Sequence, residues 1–165
     1  MTILKMTAED YTLSAEYLGP MLEALHKRGI DEQEALAGLD IEPGCWRDPK
    51  ARVTALTFKR FSRRVVTLTG EPWIGWELGA SMPLSSHGFL GYAAMSSNTL
   101  GDAIELAVKF FRTRGTIVQL EAFVEGDWAV LQLNEMLSLG EHGPLLTESL
   151  FSSFHFMGLQ LMPDI

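Results

Sequence analysis

After Gly115 the spacing of apolar residues changes from about 3.6 to about 2, and that change bounds what this chain can build. Upstream, apolar residues recur one helical turn apart in segment after segment. Downstream, Val118, Leu120, Ala122 and Val124 alternate with Gln119, Glu121 and Phe123, the pattern of a half-buried strand. Glu125-Gly126-Asp127 turns the chain, and Ala129, Leu131 and Leu133 alternate with Val130, Gln132 and Asn134 on the way back. One hairpin among many helical segments predicts an α+β fold, mainly helical, with six to seven helices and a small antiparallel sheet.

The helical segments carry their own start and stop signals. Leu18, Met21, Leu22 and Leu25 form a stripe on a helix from about Ala15 to Arg28, and Gly29 stops it. Asp31 with Glu34 has capping-box spacing and opens a short helix to about Ala37. Pro43, Gly44 and Pro49 make residues 38–52 a loop. Thr54 caps a helix on which Phe58, Phe61 and Val65 share one side. Pro72 is expected at the tolerated first position of a short helix bearing Trp73, Trp76 and Leu78, which Met82-Pro83 ends.

Gly88 to Met95 reads as a helical turn or two. Thr99 and Asp102 resemble a capping box for a helix to about Arg114, whose buried face is Leu100, Ala103, Ile104, Ala107, Val108 and Phe111. A last helix follows Gly143-Pro144, with Leu146, Leu150, Phe154, Met157 and Leu161 on one face. A lone two-stranded sheet is marginal in water. Further strands are therefore expected at Thr2–Lys5, in a partner chain, or beyond Ile165. The chain reads as one domain over residues 1–165, cut short at its C-terminal end.

Composition removes several function classes. No apolar run approaches the roughly 20 residues of a membrane span. The opening MTILKMTAEDYTLS lacks the basic and apolar regions of a signal peptide. A single cysteine, Cys45, rules out an internal disulfide. Together these features place the chain in the cytoplasm. The net charge of −8 argues against phosphate neutralisation by this chain. Its one basic cluster, Lys59, Arg60, Arg63 and Arg64, reads as a solvated helix face.

A search for chemistry returns little. The chain has no nucleophile elbow, phosphate loop, dinucleotide fingerprint or zinc-protease motif. No catalytic residue, metal ligand or cofactor is assigned. His26, His87, His142 and His155 have no ligand spacing, and Cys45 has no base beside it. Ser85-Ser86-His87 reads as a loop whose side chains bond nearby backbone, since adjacent residues rarely face one another. The aromatic residues between 70 and 115 suit a core stripe, or else an apolar ligand cleft with a few polar groups. The candidate effector-binding residues are Trp73, Trp76, Phe89 and Tyr92 as walls, with His87, Arg112 and Arg114 as polar anchors.

The stretch from Leu84 to Ile104, LSSHGFLGYAAMSSNTLGDAI, resembles the hallmark of the arabinose-binding-type N-terminal domain of AraC-family transcription regulators. His87, Gly88, Gly91, Tyr92, Thr99, Leu100 and Ala103 carry that likeness, and Leu68-Thr69-Gly70-Glu71-Pro72 through Leu78-Gly79 extends it upstream. The closest flavour is that of ornithine or arginine utilisation regulators. The resemblance implies a regulatory domain that binds a small-molecule effector, such as an amino acid or related metabolite, and forms a homodimer. It also implies a C-terminal helix-turn-helix module, absent from this chain, through which DNA is bound. The apolar faces of residues 145–161 and 99–114 are the candidate dimer surfaces. Alternative readings are a protein-interaction domain without ligand, a small-molecule enzyme, and a haem sensor with His87 or His155 as axial ligand.

Overall fold

The computed structural model describes residues 7 and 9–161, so the strand expected at Thr2–Lys5 lies outside the described residues. Helix starts follow the capping chemistry. The Asp31 carboxylate accepts the Glu34 N–H at 2.7 Å and opens α2 (Glu32–Leu36) behind α1 (Leu18–Lys27). Thr54 Oγ1 accepts the Thr57 N–H at 3.1 Å at the head of α3 (Ala55–Thr69), which stops at Gly70 in a left-handed conformation. Helix α4 (Ile74–Ala80) starts two residues later than Pro72, with Trp73 at its N-cap, so Pro72 precedes the helix instead of opening it.

Helix α5 (Phe89–Met95) is followed by α6 (Leu100–Phe110), where Thr99 and Asp102 close a complete capping box. Beyond Phe110 the chain tightens into a 3-10 turn over Phe111–Thr113. Helix α7 (Gly143–Leu161) ends the described chain. The expected α+β architecture, mainly helical, is present: seven α-helices and two small antiparallel sheets among the described residues.

Two strands escaped the sequence pattern because each is only three residues long. Strand β1 (Thr12–Ser14) pairs antiparallel with β2 (Arg52–Thr54), the latter beginning inside the expected loop. On its other side β1 is bridged to Gly115, with Thr116 N–H donating to Thr12 O at 2.7 Å. The hairpin of β3 (Val118–Glu125) and β4 (Trp128–Glu135) forms in the expected place, with Leu120 opposite Leu133 and Ala122 opposite Leu131. Only its root is buried. Val118 and Leu120 lie against the body, whereas Trp128 near the turn is 76% exposed.

One core runs through the molecule. Leu18, Met21 and Leu25 of α1 meet Phe58, Phe61 and Val65 of α3, Ile74 and Leu78 of α4, and Leu145, Leu146 and Leu150 of α7. The closest seam is α4 against α7. A Cβ at Gly75 would sit 2.6 Å from Leu145 O, and one at Gly79 would fall within the Ser149 backbone. Ser149 and Ser152 use the closeness, donating to Gly75 O at 3.0 Å and Trp76 O at 2.6 Å. Small residues let the two backbones meet. Hydrogen bonds then satisfy the hydroxyls that this contact buries.

Candidate functional site

Two features adjoin behind the motif stretch: a buried polar latch and an apolar cavity. The latch centres on His87, which is 1% exposed at the end of a 3-10 turn over Leu84–His87. Its Nδ1 lies 3.1 Å from Tyr17 Oη, and its Nε2 lies 2.7 Å from Ser153 Oγ on α7. Tyr17 meets the imidazole edge-on, and Phe154 covers it from the other side. Burial, with the Arg114 guanidinium second, holds the imidazole down to about 4. The ring is therefore neutral near pH 7, with one nitrogen donating and the other accepting.

Arg114 is the second member of the latch. Its guanidinium donates to Glu16 Oε2 at 2.6 Å and to Ser86 O at 3.0 Å, and it stacks over the Tyr17 ring at 5.2 Å. Glu16 also accepts from Ser14 Oγ at 3.2 Å. Arg52 donates to the Arg114 and Thr113 carbonyls, closing the arrangement over β2. One network thus ties β1, β2, the 3-10 turns before α1 and α5, and α7 together. Burial also pushes the Tyr17 phenol above its ordinary value, so it stays protonated.

The cavity lies beside the latch, between α5, α6, the hairpin and the C-terminal half of α7, and measures about 320 Å³. Leu90, Gly91 and Ala94 supply one wall, and Leu100, Ala103, Ile104 and Ala107 another. Leu120 and Leu131 close the hairpin side, and Phe154, Met157, Gly158 and Leu161 the α7 side. His87 and His155 are the only lining residues, among those described, that are neither apolar nor glycine. The half-exposure of Leu100, Ile104 and Ala107 has its cause here. The expected buried face of α6 looks into a cavity instead of a filled core.

The structure distributes the candidate effector residues among three places. His87 lies at the cavity wall, and Arg114 is buried behind it in its ion pair with Glu16. Trp73 and Phe89 stand on the outer surface at 68% and 84% exposure, and Tyr92 and Arg112 are also exposed. Trp76 is half exposed and packs near His155 and Phe156 of α7. Sequence reasoning missed most of the lining, because Ala103, Ala107 and Gly158 look like ordinary helix residues until the cavity is seen.

The motif residues have separate physical tasks. Gly88 has a φ of +57°, and a Cβ there would meet the Arg114 guanidinium at 2.8 Å. Gly91 lets α5 touch the Leu84 carbonyl, where any side chain would overlap. Thr99 caps α6, while Leu100 and Ala103 line the cavity.

The chemistry open to this arrangement is narrow. Ser153 Oγ and His87 Nε2 have the spacing of a nucleophile and its base, yet Ser153 is wholly buried within a helix. His87 has both nitrogens engaged, which leaves no lone pair free for an iron. Among the described residues no group of three His, Cys, Asp or Glu is placed to hold a metal ion. Cys45 is half-buried, with its thiol pushed up by burial, which works against the nucleophilic thiolate. No helix among the described residues is long and apolar enough to cross a membrane. What remains is a buried polar latch beside a cavity with mainly apolar walls.

Comparison with known proteins places this arrangement in a family. Residues 29–164 match the arabinose-binding N-terminal domain of AraC transcription regulators. The chain belongs to that family. It is similar to the ornithine utilization regulator of Pseudomonas aeruginosa, 30% identical over 161 residues, which are 98% of this chain and 47% of that protein. It is also similar to uncharacterized HTH-type transcriptional regulators of Mycobacterium bovis and Mycobacterium tuberculosis. Each is 30% identical over 115 residues, 69% of this chain and 33% of the relative. The chain thus spans about half or less of the curated relatives it matches. The likeness seen in the stretch around His87 extends over most of the sequence.

Proposed function

We propose that this chain is the effector-binding regulatory domain of an AraC-type transcription regulator, and that the effector occupies the cavity between α5, α6, the hairpin and α7. The single observation that carries the reading is that cavity, about 320 Å³ with almost wholly apolar walls, beside an α4–α7 seam closed to the width of a glycine. Its size and its mainly apolar walls are those of small-molecule sites.

Helix α7 supplies the route for a signal. Phe154, Met157 and Leu161 line the cavity, and Ser153 one residue earlier holds His87. An effector that binds one setting of this helix better than another shifts the population towards that setting. In the full regulator this shift would alter DNA binding by a helix-turn-helix module outside this chain, acting in a homodimer. The solvent side of α5, with Phe89, Tyr92 and Met95 exposed, supports an association surface.

Thermal unfolding with a panel of metabolites tests the reading. A ligand at about 100 times its dissociation constant raises native stability by about 2.7 kcal/mol. The expected outcome is a rise with the effector that Ala107→Phe, which fills the cavity, removes. A rise that survives Ala107→Phe places binding elsewhere. Sedimentation at micromolar concentration tests the dimer, and a strictly monomeric chain counts against it.

A further inference from the structure

The cavity also constrains the chemical class of its guest, an inference that rests on the effector reading above. We infer that the part of the effector buried here is hydrocarbon, aliphatic or aryl, carrying at most one hydrogen-bonding group, and that the cavity accepts neither a free sugar nor a zwitterionic amino acid.

The argument is an inventory of hydrogen-bonding capacity. A pentose or an amino acid brings several polar groups, and each needs a partner once it leaves water. The wall offers His87, whose nitrogens are committed to Tyr17 and Ser153, so the ring turns no free donor or acceptor to a guest. Arg114 is held through its two terminal nitrogens by Glu16 and the Ser86 carbonyl, and although its buried Nε has no partner the residue is not on the cavity lining. Among the described residues His155 is the one other polar side chain on the lining, and it is exposed on α7, against Trp76. A polar group on the guest is therefore accommodated beside His155 or at the solvent-open side of the cavity, with the apolar body between Ala103, Ala107 and Met157. Each hydroxyl buried without a partner weakens binding roughly ten- to a hundred-fold. A buried charge without a partner weakens it further. Each buried methylene strengthens binding about four-fold.

Calorimetric titration of the 165-residue chain with 1-alkanols from butanol to decanol, and with L-arabinose and L-ornithine, tests the class. The expected result is saturable alkanol binding that tightens about three- to four-fold per methylene until the space is filled. Neither arabinose nor ornithine should then bind saturably. Ala107→Phe should weaken alkanol binding at least ten-fold while keeping the helical circular dichroism. Gly158→Leu, at a lining position with open space around it, serves as the second variant where the first fails to fold.

Arabinose or ornithine binding that the filled variants abolish overturns the hydrocarbon class and leaves the cavity as the effector site. Alkanol binding that neither variant disturbs overturns the inference and the placement of the site together. Absence of saturable binding by every probe overturns both as well.

Discussion

The two halves of α7 meet the protein in opposite ways. From Gly143 to Ser153 the helix lies against α4, with Ser149 donating to the Gly75 carbonyl and Ser152 to the Trp76 carbonyl, where Gly75 and Gly79 have no room for a methyl group. From Phe154 to Leu161 the same helix borders a cavity, and Gly158 has nothing within 4 Å of where a Cβ would stand. His87 marks the boundary by gripping Ser153. The difference separates fixing from responding. A close-packed seam transmits strain without absorbing it, whereas a helix end beside empty apolar space can shift to suit a guest. A ligand bound at the loose half, as proposed, would act on a helix whose other half is anchored.

Three substitutions would break or sharpen this contrast. The largest effect is expected at the seam. Gly79→Leu should cost about 3 kcal/mol or more in urea unfolding, because the new side chain must displace the Ser149 backbone. A cost below about 1 kcal/mol would show that α4 and α7 separate easily, and the contrast would fail.

The next effect is a pH dependence at the boundary. The native imidazole of His87 resists protonation until about 4, whereas an unperturbed histidine accepts a proton near 6.5. Its contribution is complete above pH 6.5 and falls as the pH drops towards 4, with no further loss below that. The difference amounts to about 3 kcal/mol. His87→Gln should flatten the wild-type decline in stability over that window. Parallel pH profiles of the two proteins would assign the decline to other groups.

The smallest effect lies in the loose half and has the opposite sign. Gly158→Ala fills open space and removes a helix-interior glycine, so it should raise stability by about 0.5–1 kcal/mol. Destabilisation instead would mean that the C-terminal half of α7 is packed as closely as the seam.

Legibility in the sequence tracked the range of the interaction. The hairpin, the Thr54 and Thr99 caps and the stripes on α1 and α3 depend on residues within a few positions of one another, and they stand where the pattern puts them. Strands β1 and β2 did not show, because three residues carry no alternation and their partners lie about forty residues away. The aromatic residues misled for a related reason. Phe89, Tyr92 and Trp73 share a region of sequence with His87, yet helix phase turns Phe89 and Tyr92 to solvent while Leu90, Gly91 and Ala94 face the cavity, and Trp73 stands exposed in the turn before α4.

Period, caps and the His87 motif determined by themselves an α+β, mainly helical chain and its family, because such signals are local and survive without coordinates. Tertiary structure alone decided that His87 is a latch, that Arg114 is already paired, and that alanines and glycines from three helices enclose a space. Burial and hydrogen-bond saturation depend on segments far apart in the chain. No local pattern records them.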